Sequence, residues 1–188
     1  MSEPQRDDWQ EVWDARLAAL SAILGPPYQS VYHARHPFAF GGQADGVAFP
    51  GFLNGGIAYV TWERSGKSGE FYADYELMIC HRQQSDWGPG LISCLAPYTQ
   101  QAYIAAGESM DIDEATPAGS RLEALLFDTY GCFELFGKTF ELRLGVGITK
   151  AELAYKFEHG ADAILALLKS RGIYPFTDLD RDDVELKR

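Results

Sequence analysis

Apolar residues recur at helical spacing near the start of the chain, where Trp9, Val12, Trp13, Leu17, Leu20 and Leu24 fall on one stripe. Asp7 or Asp8 is placed to cap this helix. Gly25-Pro26-Pro27 ends it, because proline has no amide hydrogen and its ring blocks the next turn. From Tyr28 to Gly56 the pattern breaks into short apolar pieces between the turn signals Gly41-Gly42, Asp45-Gly46, Pro50-Gly51 and Asn54-Gly55-Gly56. Ile57 to Trp62 and Phe71 to Cys80 then read as two strands of an antiparallel hairpin, joined by a polar turn from Arg64 to Gly69. On the second strand Tyr75, Leu77 and Ile79 share one face, and Glu76, Met78 and Cys80 share the other.

A second helical region runs from about Asp86 to Ala106, capped by Ser85 or Asp86. Leu91, Ile92, Leu95, Tyr98 and Ala102 form its apolar side, and Pro97 should split it near Leu95. An acidic surface segment follows, Glu108 to Glu114. Leu122 to Tyr130, Cys132 to Phe136 and Thr139 to Ile148 read as strands, with a hairpin turn at Phe136-Gly137-Lys138-Thr139 between the last two. Thr149-Lys150-Ala151-Glu152 is a capping box, in which the threonine oxygen takes an early amide and the glutamate reaches back. It opens a helical region whose stripe continues through Leu153 and Phe157, breaks at His159-Gly160 and resumes at Ile164, Leu165 and Leu168.

Helix, strands, helix, strands, helix without regular βαβ alternation predicts an α+β fold: a mixed, largely antiparallel sheet with helices packed on it. A doubly wound fold is the second choice. One globular domain is expected, in which 1–27 form an N-terminal amphipathic helix and turn, 28–176 the main body, and 177–188 a charged C-terminal tail.

Composition narrows the function. A chain of 188 residues that is 46% hydrophobic can bury a core without disulfide or metal staples. The formal charge of −11 argues against nucleic acid or an anionic membrane as partner, since both need clustered Lys and Arg. It leaves either simple solubility or steering toward a basic partner. Cys80, Cys94 and Cys132 are odd in number and contain no CxxC, which fits reduced, buried thiols. With no apolar signal core before Asp8 and no run near the ~20 residues needed to span a bilayer, a cytoplasmic protein is expected.

The motifs of catalysis and metal binding fail one at a time. Gly66-Lys67-Ser68 lacks the glycine five residues upstream that a phosphate loop needs, since Thr61 stands there. His33 and His36 are followed by Pro37 and have no Cys or carboxylate ligand near them in sequence. Cys80 and His81 are adjacent in a strand and so point to opposite faces. His159, before Gly160, reads as the end of a helix helped by the backbone dipole. Asp178, Asp180 and Asp182 imitate the start of a calcium loop, but its sixth position is Asp183 and its twelfth would fall beyond Arg188. Asp111, Asp113 and Glu114 lie in a polar loop that offers no burial to raise a catalytic pKa. No catalytic residue, metal or cofactor is predicted.

The most distinctive pattern is at the C-terminal end: Ile148-Thr149, Glu152-Leu153, Tyr155, His159-Gly160, Leu165, Leu168, Ile173, Pro175, Asp178, Arg181 and Val184. It resembles the suppressor-of-fused domain family, particularly its short bacterial members. The resemblance runs from about Asp74 to Val184, with Gly147 standing where proline is common. It implies a suppressor-of-fused-like fold without a known catalytic centre. Animal relatives are two-domain regulators that bind a transcription factor and hold it inactive, and bacterial relatives resemble immunity proteins that neutralise a toxin, often a nuclease.

The function expected on this basis is non-catalytic binding of another protein, with a basic toxin domain as the sharper form. Asp111, Asp113, Glu114, Asp178, Asp180 and Asp182 are the candidate contacts. The alternatives are an enzyme with an unrecognised site, using Cys80, His81 or the acidic loop, and a small-molecule-binding domain.

Overall fold

The computed structural model describes residues 3–28, 31–35, 42–62, 64 and 74–184. Among them seven strands form one sheet: β1 (Val31–Tyr32), β2 (Gly46–Gly51), β3 (Gly56–Thr61), β4 (Tyr75–His81), β5 (Ser109–Asp111), β6 (Leu122–Leu135) and β7 (Lys138–Thr149). Their order is β1-β2-β3-β4-β7-β6-β5. Every neighbouring pair is antiparallel except β4–β7, which is parallel, so the sheet is mixed and largely antiparallel. The helices are α1 (Glu3–Leu24), a single turn α2 (Phe52–Gly55), α3 (Trp87–Leu95), α4 (Lys150–His159) and α5 (Ala161–Ser170).

Both faces of the sheet are covered, and strand alternation sorts the side chains between them. On one face Met78, Cys80, Leu142, Leu144 and Val146 meet Leu20 and Leu24 of α1 and Ile164 and Leu168 of α5. On the other, Tyr75, Leu77 and Ile79 meet Leu91 and Ile92 of α3. The apolar stripe of α1 is buried through Leu20 and Leu24, and Trp13 packs its ring 4.7 Å from that of Trp62. Because α1 begins at Glu3, Asp7 and Asp8 lie within the helix and are not its cap.

Other expectations change at particular residues. The segment between Tyr28 and Gly56 supplies strands β1 and β2, paired at Val31↔Val47. The two strands expected on either side of Gly131 are one, because a register irregularity between Thr129 and Gly131 absorbs the break without ending the ladder. Part of the acidic segment is a strand: Ser109–Asp111 pairs with Leu126–Ala124 at the edge of the sheet. Asp86 makes no side-chain cap, whereas the Ser85 Oγ accepts from the Trp87 amide at 3.3 Å. As expected, α3 stops at Leu95, and Pro97 sits in the first turn of the 3-10 segment Ala96–Gln100. Phe157 does not continue the buried stripe of α4; it is 72% exposed. The Gly66-Lys67-Ser68 turn, residues 71–73, His36 and the Trp9 side chain fall outside the described residues.

The capping box is present, with Glu152 N donating to Thr149 Oγ1 and Thr149 N to Glu152 Oε2. The segment expected as a charged tail is packed as far as Val184, the last described residue. Phe176 bridges to Cys80, the Thr177 amide donates to the Cys80 carbonyl at 2.7 Å, and Phe176, Thr177 and Val184 are buried.

Candidate functional site

The six candidate carboxylates are all exposed, and the fold sorts them into two environments. Asp111 ends β5 and Asp113 and Glu114 follow it, where the Ile112 amide donates to the Glu123 carbonyl at 2.8 Å and the Ile112 side chain is buried. The Asp113 amide turns back onto Asp111 Oδ1 at 2.9 Å. Trp87 Nε1 donates to the Ala115 carbonyl at 2.7 Å and ties this turn to the start of α3. One buried isoleucine between exposed acids thus fixes the loop while its carboxylates face water. None of the three forms an ion pair among the described residues.

Between this loop and α3 runs a groove of about 390 Å³, with Leu91, Leu95 and Ile112 as its apolar floor and the three carboxylates on its rim. A second groove of about 390 Å³ begins at Met110, the neighbour of Asp111. Its lining includes Tyr98, Tyr103 and Phe157, which are 48%, 56% and 72% exposed. They are half of the six large hydrophobic side chains exposed among the described residues, so the exposure is concentrated and not scattered. Two charges lie here. Glu108 accepts from the Ala105 amide at 2.8 Å, and Lys156 donates to Ser109 Oγ at 3.1 Å with its ammonium 5.0 Å from the Phe157 ring. Arg143, buried behind Tyr103, donates to its hydroxyl at 3.3 Å.

Asp178, Asp180 and Asp182 belong to a segment held from beneath. Arg181 donates to both oxygens of Glu152, one at 2.6 Å, and this pair is almost wholly buried (side chains 7% and 0% exposed). The Val184 amide donates to the same carboxylate at 3.1 Å. Arg181 also donates to the Gly147 carbonyl at 2.9 Å, and the Gly147 amide donates to Thr177 Oγ1 at 2.9 Å. A Cβ on residue 147 would lie 2.5 Å from Leu122 Cδ1 and 2.8 Å from Thr177 Cγ2. Both the amide and the absent side chain are therefore needed, which accounts for glycine and excludes proline at this position. Ser120 Oγ donates to the Leu179 carbonyl at 2.9 Å, and Arg121 pairs with Asp182 at 2.9 Å. Both acidic segments therefore flank the first residues of β6, yet of the two only Asp111–Glu114 lines either of these two grooves.

Cys80 and His81 are kept apart as strand alternation requires. Cys80 is packed in the core, where burial pushes its thiol pKa well up, whereas Cys94 and Cys132, also expected to be buried, are exposed. His81 Nδ1 donates to the Thr177 carbonyl at 2.7 Å, and its Nε2 is buried without a partner against Gly88. Burial lowers its pKa, opposed by the Thr177 carbonyl and by Asp178. The pair cannot act as nucleophile and base. His33 differs from expectation: the fold brings Asp45 Oδ2 to 2.8 Å from its Nδ1, a carboxylate twelve residues away in sequence. Among the described residues no three His, Cys, Asp or Glu side chains gather as metal ligands, and no helix is long and apolar enough to cross a membrane.

Sequence patterning missed the grooves because Leu91, Leu95 and Tyr98 carry the same signal as core residues. The available hints were Ile112 alone among acids and Tyr98 displaced by Pro97.

The family model for Suppressor of fused protein (SUFU) matches residues 58–182. No curated protein matches the chain. Among solved structures, a chain of the Sufu–Fu complex is 15% identical with a TM-score of 0.69, covering 90% of this chain and 88% of its own. A SUFU homologue from Neisseria gonorrhoeae FA 1090 is 14% identical with a TM-score of 0.68, covering 95% of this chain and all of its own length. Drosophila Suppressor of Fused is 15% identical with a TM-score of 0.67, covering 92% of this chain and 50% of its own.

Proposed function

This chain belongs to the suppressor of fused family, and on that footing we propose that it is a non-catalytic protein-binding domain, of the immunity type that neutralises a basic toxin by direct binding. The observation that carries the reading is the concentration of exposed aromatic side chains beside three carboxylates with no cation of their own. Large apolar side chains left in water next to a groove mark a surface that gains free energy when covered. Acidic groups around it raise the rate at which a cationic partner is captured. A solved relative, Sufu in the Sufu–Fu complex, is itself found with a protein partner. The catalytic alternative loses its best pair, since Cys80 and His81 face opposite sides of the sheet.

Tagged chain, used to draw proteins from its native host under gentle low-salt conditions, should retain one basic protein at fixed stoichiometry. The association rate of the purified pair should fall steeply with ionic strength. If no protein is retained in stoichiometric amount, the reading is wrong.

A further inference from the structure

We infer that the partner enters as a single basic, amphipathic segment laid along β5, its cationic side chains on the Asp111–Glu114 rim and its apolar ones on Leu91, Leu95 and Ile112. This rests on the protein-binding reading and gives it a surface and a chemistry. Three features of the molecule converge on it.

The two grooves share no lining residue, but their walls are built from consecutive stretches of the same two segments. On one side α3, with Leu91 and Leu95, runs directly into the 3-10 segment that carries Tyr98. On the other, Met110 ends the lining of one groove where Asp111 begins that of the next. Each groove has apolar side chains in its lining, Leu91, Leu95 and Ile112 in one and Ile104, Met110 and Phe127 in the other, so the occupant must present apolar side chains on one side.

Charge differs between the ends, and that difference sets the direction of the segment. The Asp111–Glu114 end carries three carboxylates and no cation in its lining. At the aromatic end Glu108 and Lys156 balance. Basic residues of the occupant therefore belong at the first end. At the second, a large apolar side chain fits, or an arginine laid on the open faces of Tyr98, Tyr103 and Phe157. A uniformly acidic peptide would be repelled at one end and gain nothing at the other.

The second acidic segment is excluded by the same criterion. Asp178, Asp180 and Asp182 have charge but line neither groove, and their chain is committed to Glu152, Gly147 and Ser120. Charge alone would treat the two segments alike. An apolar floor distinguishes them.

The test uses purified full-length chain and two synthetic peptides of about 14 residues (roughly four helical turns). Both contain only leucine and lysine in identical numbers, one patterned as an amphipathic helix and one scrambled. Calorimetric titration should show the patterned peptide binding more tightly than the scrambled one. Leu95→Ser, and separately Glu114→Lys, should each weaken the patterned peptide by about tenfold, the size expected for losing one anchor. Asp178→Lys and Asp180→Lys should stay within about twofold, because charges outside the contact act on the peptide only through screened, longer-range attraction at moderate salt. Should Leu95→Ser disturb folding, Tyr98→Ser replaces it, since that ring is already half in water.

Equal binding of the two peptides would overturn the inference, because the attraction would then be diffuse acidity. Equal losses at the two acidic segments would overturn it as well. A host protein whose retention survives Glu114→Lys, Leu95→Ser and Tyr98→Ser would sink the groove while leaving the protein-binding reading intact. Patterned-peptide binding with the expected variant losses, but no host partner, would uphold the groove and sink the reading.

Discussion

Asp111–Glu114 and Asp178–Asp182 look alike as sequence, each a short run of carboxylates in a polar stretch, and both end beside the start of β6. What separates them lies underneath. Below the second run Arg181 and Glu152 form a buried ion pair, and the Glu152 carboxylate also accepts from the amides of Thr149 and Val184. One side chain thereby caps α4 and latches the C-terminal segment to it. Below the first run lies only Ile112 and an open groove. The lesson is that a carboxylate's neighbours across the fold, and not its neighbours in sequence, decide whether it belongs to stability or to recognition.

The comparison breaks first at Arg181. Arg181→Ala would leave the Glu152 carboxyl group fully buried without its cation, facing only amide donors. Removing one partner of such a pair costs about 3–5 kcal/mol, because the desolvation of the other is no longer compensated. Equilibrium unfolding in urea at neutral pH should show a loss of that size. A loss under about 1 kcal/mol would mean that the C-terminal segment is not latched, and the two acidic runs would then be equivalent.

How much of this could be read along the chain follows from the range of each interaction. The capping box at Thr149–Glu152 was legible because both partners lie within one turn. The β3–β4 hairpin and the two faces of β4 were legible from period-two alternation. The parallel pairing of β4 with β7 was not, since it joins Tyr75 to Glu141 across other elements and leaves no local pattern. The latch was invisible for the same reason: Arg181 meets its acid 29 residues away. The strand β6 was divided at Gly131 because glycine usually marks a break, whereas here a bulge carries the ladder past it. Of the candidate groove, the acids at 111, 113 and 114 on its rim stand out in the sequence, and its apolar floor does not. Leu91 and Leu95 look the same in sequence whether they fill a core or line a groove.

A smaller effect should come from His81, which holds the Thr177 carbonyl at the start of the latched segment. Burial lowers its pKa in the folded chain, so at mildly acidic pH the unfolded chain binds more protons than the folded one. The sign follows: this contribution is complete above the unfolded value of about 6.5 and is lost as pH falls through the depressed folded value. Unfolding measured at pH 7 and pH 5 should show wild type losing stability on acidification. His81→Asn, which keeps a donor for Thr177 but does not titrate, should lack that part of the loss. Identical pH dependence in the two proteins would show that His81 is not a charge-sensitive part of the latch.

The smallest expected effect is on the other acidic run, and its smallness is the point. Asp111→Asn, Asp113→Asn and Glu114→Gln together should change stability by no more than about 0.5 kcal/mol, as for surface positions outside any network. Asparagine at 111 keeps an oxygen for the Asp113 amide, so the turn itself is preserved. In a chain of net charge −11, removing three crowded negative charges relieves repulsion, which places any change on the stabilising side. Urea midpoints measured at low and at high salt would isolate that term, because screening removes it. A triple variant that is as stable as wild type but captures a cationic peptide more slowly would show carboxylates retained for what they meet. A triple variant destabilised like Arg181→Ala would instead show a second latch, and the contrast between the two runs would disappear.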